Sequence, residues 1–258
     1  MQEKKLSPTT RFSDTVEHYA KYRPTYPVSV IDLLKKEGQL KPGAVVADIG
    51  SGTGIFAKLL LDHQYKVLGI EPNAQMREKA EQQLAGYANF MSVNATAEAT
   101  DLSSHSVDSI TAATAFHWFD KEKVKKEFNR ILKPGGLCML IWNVRLLEAS
   151  PLMAQYEELL NQYGADYKEV NANKIDEEKI QQFFTPISVN LAAFAHQQRL
   201  DKNGFLGRLL STSYTPKSGQ PNYEAMMQAA SHLFEAHQKD GCVEFIYSTK
   251  CYYGHCGK

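Results

Sequence analysis

The chain has 258 residues, of which 43% are apolar, so it is long enough to bury a core of its own. Lysine and arginine together number 29, as do aspartate and glutamate, and the formal net charge is zero. A balanced charge provides no field that would gather a phosphate backbone or an anionic membrane, so we expect neither nucleic acid nor a membrane as partner.

The amino-terminal residues, MQEKKLSPTT, are polar and lack the apolar region of a signal peptide. The longest apolar run, residues 137–142, is too short to cross a bilayer. We therefore expect a cytoplasmic protein.

The four cysteines, Cys138, Cys242, Cys251 and Cys256, show no disulfide spacing. Cys251 and Cys256 could be drawn with His255 as metal ligands. A single Cys-x4-Cys pair is a weak metal signal, and the segment is more typical of a strand and a chain end, so we expect no metal.

Between residues 41 and 143, short β-rich apolar runs alternate with helix-like stretches, which is the pattern of a parallel sheet with crossover helices. The strands are apolar on both faces, as expected when helices cover both sides of the sheet. In chain order the predicted strands are AVVADI, KVLGIE, ANFMSVNA, VDSITAATA and GLCMLIWNV, and the predicted helices are IFAKLLLDHQ, NAQMREKAEQQLA and KEKVKKEFNRIL.

The alternation weakens after residue 143. Four segments there are typical of helices, namely SPLMAQYEELLNQY, DEEKIQQFF, FLGRLLSTSY and YEAMMQAASHLFEAHQ. Two others, ISVNLAAFAHQQRL and VEFIYSTKCYY, are typical of strands. We expect sheet strands and a helical cap to be interleaved in this half.

A glycine-rich turn, Gly50, Gly52 and Gly54, follows Asp48 and separates the first predicted strand from the first predicted helix. Glycine permits positive φ and close backbone approach, and the helix that follows presents free N–H groups. The spacing G-x-G-x-G is one residue shorter than the dinucleotide fingerprint, and the turn lacks the lysine of a P-loop. It predicts a nucleotide-like ligand without a pyrophosphate; a plain tight turn is the alternative, and a nicotinamide-dependent oxidoreductase is disfavoured.

The acidic residue and G-x-G-x-G together resemble the first motif of the class I S-adenosylmethionine-dependent methyltransferases, and further motifs follow in that family's order over residues 10–145. The resemblance implies an α/β fold, a Rossmann-like, doubly wound seven-stranded sheet with an antiparallel last strand and a helical cap. It also implies S-adenosylmethionine as cofactor and a small-molecule acceptor. We predict an arm over residues 1–36, a cofactor-binding core over 37–145, and an interleaved cap and final strands over 146–258.

The same resemblance implies roles for single residues. Glu71 ends the second predicted strand, where a carboxylate can accept hydrogen bonds from both ribose hydroxyls. Thr96 stands where the family commonly has an aspartate that binds the adenine amino group. Whether this chain has a charged residue that binds adenine therefore stays open. The cofactor-binding residues implied are Tyr19, Arg23, Asp48, Gly50, Ser51, Gly52, Gly54, Glu71, Pro72, Met76, Thr96, Ala97, Glu98, Ala115 and Phe116.

The segment VEHYAKYRPTYP resembles an element of the trans-aconitate methyltransferase-like proteins. Its two prolines stop a regular helix near Arg23, and a rigid turn there could hold the guanidinium over the carboxylate of the cofactor. Packing of this arm on the domain surface is the alternative.

In the family that the chain resembles, the loop that corresponds to ATAFHWFD runs towards the transferred methyl group, which implies that the acceptor binds beside it. His117 is the histidine placed to act as a general base near the sulfonium; a structural role is the alternative. A carboxylate acceptor needs no base, whereas a phenol would make one useful. The substrate residues implied are Trp118, Trp142, Asn143, Arg145, Ser213 and Tyr214. Carboxylate O-methylation is favoured by analogy; a phenol or quinone acceptor, or cofactor binding without catalysis, are the alternatives.

Overall fold

The computed structural model describes residues 15–170 and 175–256. Residues 1–14 of the predicted arm lie outside the described residues. A mixed sheet of seven strands forms the centre of the molecule, in the order β3-β2-β1-β4-β5-β7-β6. Its strands are β1 (Val45–Ile49), β2 (Lys66–Ile70), β3 (Phe90–Val93), β4 (Val107–Ala113), β5 (Leu132–Arg145), β6 (Asn190–Asp201) and β7 (Cys242–His255).

The direction of the strands follows the predicted fold. Strand β1 pairs in parallel with β2 and β4, and the parallel pairing continues to β3 on one side and β5 on the other. Strand β7 is antiparallel to both of its neighbours, β5 and β6. The predicted doubly wound seven-stranded sheet with an antiparallel last strand is confirmed.

Two helices precede β1, one helix follows each of β1, β2 and β4, and the remaining helices lie in the second half of the chain. Several begin at a polar cap; Asn73, for example, accepts a hydrogen bond from the backbone N–H of Met76. The helices are α1 (Val16–Tyr22), α2 (Ser29–Glu37), α3 (Ile55–Asp62), α4 (Ala74–Leu84), α5 (Lys121–Ile131), α6 (Pro151–Tyr163), α7 (Tyr167–Val170), α8 (Glu177–Phe184), α9 (Lys202–Leu210) and α10 (Tyr223–His237). None of the helices within the described ranges is long and apolar enough to cross a membrane.

Apolar side chains cover both faces of the sheet because successive residues of a strand point to opposite sides. On one face, Ile110 and Leu140 lie in a core shared with Phe128 of α5. On the other face, Val46 and Met139 lie in a core shared with α2 and α3. The continuous apolar runs of the sequence are thus buried from both sides, with helices on each.

A third core joins the helices of the second half to the ends of the last two strands. Tyr156 of α6, Phe205 of α9 and Phe245 of β7 are fully buried, and their rings meet edge to face. Phe234 of α10 also packs against Phe205. Cap helices and sheet strands therefore share one apolar interior.

Helix α1 packs across α9 at a glycine. A Cβ atom at Gly207 would lie 2.2 Å from the ring of Tyr22, so the helices approach closely only because this position has no side chain. The side-chain amide of Gln198 on β6 donates to the carbonyl of Tyr22 at 3.0 Å. These contacts carry the end of α1, and Arg23 after it, over the carboxyl end of the sheet.

Candidate functional site

Two adjoining cavities lie at the carboxyl ends of the parallel strands, where open α/β sheets bind their ligands. The larger has a volume of about 280 Å³ and the smaller about 100 Å³. Six residues line both cavities: Tyr19, Gly50, Gly52, Ala113, Thr114 and Trp118. The cavities therefore meet at the glycine-rich turn, between the end of α1 and the loop after β4.

The three glycines of the turn all have positive φ, between 57° and 84°. A Cβ atom at Gly50 would lie 2.6 Å from the side chain of Ala115, and one at Gly54 would lie 2.8 Å from Leu84. Gly54 is also the residue that precedes the first turn of α3. Gly50 and Gly52 line the cavities, whereas Gly54 permits close packing of α3 against α4.

Glu71 ties the end of β2 to the glycine-rich turn. Its carboxylate accepts hydrogen bonds from the backbone N–H groups of Gly52 and Asn73, each at 2.9 Å. The side chain is 9% exposed and lines the larger cavity, and burial raises its pKa. The carboxylate is thereby fixed in direction, with lone pairs left for a hydroxyl ligand.

The rest of the larger cavity is mainly apolar. Met76, buried at the start of α4, lines it together with Ala97 and Phe119. Such a slot suits a flat ring. The other predicted cofactor residues in its wall are Pro72, Thr96, Glu98 and Ala115.

Asp48 lines the smaller cavity from the end of β1 and is 1% exposed. One carboxyl oxygen accepts a hydrogen bond from the Thr111 hydroxyl at 3.0 Å, while Oδ2 is buried without a partner among the described residues. Burial raises the pKa of Asp48 to about 7, and the nearby Glu71 acts in the same direction. The carboxyl group can therefore hold a cationic ligand.

His117 and Trp118 lie in a short 3₁₀ turn (Phe116–Trp118) and line the smaller cavity. His117 is an exposed residue of the cavity wall, and the protein atoms around its imidazole partly desolvate the ring. This desolvation lowers its pKa to about 4, and the cations Lys121 and Arg23 add to the effect. The imidazole is therefore neutral at pH 7 and is a weak base.

Three arginines line the smaller cavity. Arg145 forms an ion pair with Glu157 at 2.7 Å and hydrogen-bonds the hydroxyl of Tyr167. Arg23 and Arg208 instead both donate to Ser211, at its carbonyl (3.1 Å) and its hydroxyl (3.4 Å) respectively. Neither of these two forms an ion pair with a carboxylate among the described residues. The smaller cavity, hereafter the chamber, therefore contains two cations without a described acidic partner.

Most of the residues implied by the sequence meet around the two cavities. Those that line only the smaller one are Arg23, Asp48, Ser51, His117, Asn143, Arg145, Ser213 and Tyr214. Asn143 is also a structural bridge, because it donates to the carbonyl of Thr25 and accepts from the hydroxyl of Thr249.

Gly54, Phe116 and Trp142 do not line either cavity. Trp142 points to the opposite face of β5 from Asn143, because side chains alternate along a strand. It is buried and meets Phe116 and Tyr252 edge to face. The structure thus places the two aromatic side chains in the core beneath the site.

Arg208 and Thr114 are two of the cavity residues that the sequence analysis missed. Arg208 lies within a segment read only as an apolar helix, where a single charged residue was the available signal. Thr114 lines both cavities with φ of 55°, a conformation that a β-branched residue rarely adopts. Its hydroxyl bonds to that of Tyr26 at 3.0 Å. Within the described ranges, no group of three or more His, Cys, Asp or Glu side chains could hold a metal ion.

The chain is similar to known methyltransferases in sequence and structure. Residues 47–140 match a family profile described as a methyltransferase domain. An uncharacterized methyltransferase-like protein of Schizosaccharomyces pombe is 28% identical over 156 residues, which cover 60% of this chain and 59% of that protein. The chain spans about half the length of the curated relatives it matches.

Two solved structures share the fold. A protein of Anaeromyxobacter dehalogenans assigned as a type II methyltransferase has a TM-score of 0.66 at 20% identity, covering 92% of this chain and 100% of that one. Phosphoethanolamine N-methyltransferase 2 of Haemonchus contortus, in complex with S-adenosyl-L-methionine, has a TM-score of 0.59 at 16% identity, covering 98% of this chain and 59% of that one.

The strand order, the glycine-rich turn at the carboxyl end of β1 and the family match agree on one class. The fold is that of the class I methyltransferases. Within that fold, residues 47–140 of this chain match the methyltransferase domain profile.

Proposed function

We propose that this chain transfers the methyl group of S-adenosylmethionine to a small anionic acceptor, by carboxylate O-methylation. One observation carries the proposal: a ring-sized cavity with a fixed carboxylate adjoins a cationic chamber, and the two meet at Gly50 and Gly52. The Haemonchus contortus enzyme of the same fold was solved with S-adenosyl-L-methionine, which supports the choice of cofactor.

The larger cavity fits the adenosine part of the cofactor. Glu71 would accept hydrogen bonds from the ribose hydroxyls, and Met76 and Ala97 would contact the adenine ring. Thr96 offers no charge there, so adenine recognition would depend on shape and on backbone groups.

The smaller cavity supplies partners for the charges of the methionine arm. Asp48 has a buried Oδ2 atom without a described partner, which suits the ammonium group. Arg23 follows Tyr19, which lines both cavities, and its buried Nε atom likewise lacks a described partner, which suits the carboxylate. Bound in this way, the cofactor supplies an electrophilic sulfonium methyl group.

The chamber then has to align the acceptor and exclude water. A carboxylate acceptor is already ionised at neutral pH and needs no base. A phenol would need one, and the pKa of about 4 makes His117 a poor base for so weak an acid. The site therefore favours a carboxylate, with His117 as a wall and hydrogen-bonding residue.

Isothermal titration of the protein with S-adenosylmethionine, S-adenosylhomocysteine and NADH tests cofactor binding. Micromolar binding of both sulfur ligands, without binding of NADH, is expected. Absence of binding by both sulfur ligands would contradict the proposal.

Transfer of radiolabelled methyl groups to a panel of small acids, phenols and quinols then tests the acceptor class. Base-labile labelled esters are expected from acids. Labelled phenols would favour the alternative acceptor, and sulfur-ligand binding without turnover on any of the panel would favour a binding protein without catalysis.

A further inference from the structure

Arg208 is a buried cation whose charge is balanced neither by another side chain of the described fold nor by the proposed cofactor. It lies on α9, is 3% exposed and lines the smaller cavity. Its one recorded side-chain hydrogen bond is the long one to the Ser211 hydroxyl, and its Nε atom is buried without a partner among the described residues. A buried guanidinium normally has a carboxylate or a full set of acceptors.

Arg23 is a second cation in the smaller cavity and adds to the positive charge of Arg208. Arg23 donates to the Ser211 carbonyl at 3.1 Å, so both guanidiniums bond to one residue. Neither forms an ion pair with a carboxylate in the described part of the chain. Like charges held together in a buried site repel, and an anion between them would relieve the repulsion.

Arg145 shows what a structurally paired arginine looks like in the same chamber. It is 7% exposed, and its charge is balanced by Glu157 at 2.7 Å. Arg208 instead has tyrosines around it, among them Tyr156, whose buried hydroxyl also lacks a described partner. Arg208 thus differs from Arg145 in having no acidic partner in the described part of the chain.

The two unbalanced arginines differ in where they lie. Arg23 follows α1, beside Tyr19 and the wall shared with the larger cavity, and its guanidinium lies 4.8 Å from the ring of Tyr19. Both arginines lie near Tyr156 and Tyr214, but the other neighbours of Arg208 are Tyr247 and Arg145 rather than Tyr19. One cofactor carboxylate can balance one of these cations, and we assign it to Arg23 because its neighbour Tyr19 also lines the larger cavity.

We infer that Arg208 is a specificity-determining residue that binds an anionic carboxylate group of the methyl acceptor. This inference rests on the proposed function and deepens it by naming the residue that selects the substrate class. A neutral or cationic acceptor would leave Arg208 unbalanced in a closed site, so acids are selected over their amides and esters. If the carboxylate bound by Arg208 is the one that is methylated, the neutral ester product loses its ion pair with Arg208 and dissociates more readily.

Calorimetric titration with succinate and its neutral analogue succinamide tests this role without turnover. The protein is first saturated with S-adenosylhomocysteine. Succinate, but not succinamide, is expected to bind, and R208M is expected to weaken succinate binding at least about tenfold, with R208K losing less. R199M is the matched control, because Arg199 is an exposed arginine on β6. It is expected to bind succinate like the wild type. Equal succinate affinity in R208M and wild type, or no succinate binding by the wild type, would overturn the inference.

A second arm distinguishes the acceptor's carboxylate from that of the cofactor. 5′-Methylthioadenosine lacks the amino-acid carboxylate that S-adenosylhomocysteine carries. R208M is expected to keep the wild-type ratio of the two affinities, whereas R23M is expected to lower it. A collapse of this ratio in R208M would assign Arg208 to the cofactor and overturn the inference.

The melting temperature of each variant provides the folding control. R208M without ligand is expected to melt at or above the wild-type temperature, because it removes an unbalanced buried charge. Should R208M fail to fold, R208K takes its place in both titrations, with weaker succinate binding expected and unchanged binding overturning the inference. If S-adenosylhomocysteine does not bind the wild type, the proposed function fails, and titration of succinate alone still tests Arg208.

Discussion

Asp48 is buried at the end of β1 with one oxygen lacking a described partner, and its pKa of about 7 reflects that environment. A carboxyl whose pKa is raised on folding favours the protonated native state, so it lowers stability as the pH rises from about 4 to 7. A bound ammonium group would reverse this preference by stabilising the ionised form.

We therefore expect S-adenosylhomocysteine to bind more tightly as the pH rises through 7. Because about one-tenth of a group with this pKa is ionised one pH unit below it, affinity at pH 6 should be lower by up to about tenfold than at pH 8. Titration calorimetry at pH 6, 7 and 8 measures the change. D48N serves as control, and an equally steep dependence in D48N would assign the effect to another group.

Glu71 is held by two backbone N–H groups and lines the larger cavity. E71A should weaken binding of S-adenosylhomocysteine by about 1–3 kcal/mol, because ribose hydroxyls would lose their acceptor in a buried site. Calorimetry measures the loss, with E81A on the exposed side of α4 as the matched control. Unchanged affinity in E71A would remove Glu71 from the ribose site.

Arg145 and Arg208 are both buried, yet only Arg145 has an acidic partner in the described structure. R145M leaves Glu157 without its cation and should lower the free energy of unfolding by about 3–5 kcal/mol, whereas R208M should be near neutral. Urea denaturation of the two variants measures the difference. Equal losses in both would mean that Arg208 is also a structural cation.

At the scale of elements, the site depends on how α1 docks on α9. The contact at Gly207 brings Tyr22 against α9 and so positions Arg23 beside Ser211. G207A places a methyl group 2.2 Å from the Tyr22 ring and should lower the free energy of unfolding by about 1–3 kcal/mol through overpacking.

Binding of S-adenosylhomocysteine should weaken in G207A as well, because α1 would carry Arg23 away from the cavity. G86A is the matched control, since a Cβ atom there meets nothing within 4 Å. Thermal melting and calorimetry of the two variants measure both effects. A G207A protein as stable and as tight-binding as G86A would show that α1 moves freely.

At the scale of the whole molecule, the cap and the sheet share an interior. Phe245 of β7 packs against Tyr156 and Phe205 of the cap helices, so the cap is joined to the sheet through one apolar core. The second half of the sequence lacks a clean alternation because its two strands, the largely exposed edge strand β6 and its neighbour β7, are separated by two cap helices, α9 and α10.

The sequence by itself determined the sheet and the strand ends that carry Asp48, the glycine-rich turn and Glu71. The spacing of apolar residues and the β-branched content predicted the strands. Asp48, the glycines and Glu71 follow or end neighbouring parallel strands, so the sheet brings them to one edge. The resemblance to trans-aconitate methyltransferase-like proteins stays a prediction. So do the domain boundaries and the roles of individual site residues.

Only the tertiary structure decided which side chains line the smaller cavity. Arg23 and Arg208 meet at Ser211 because α1 crosses α9, a contact between distant parts of the chain that no local pattern encodes. The choice between Trp142 in the core and Asn143 in the wall likewise depended on which face of β5 the chamber covers. Local residue patterns specify strands, turns and caps, whereas the pairing of distant side chains depends on packing that exists only in the folded chain.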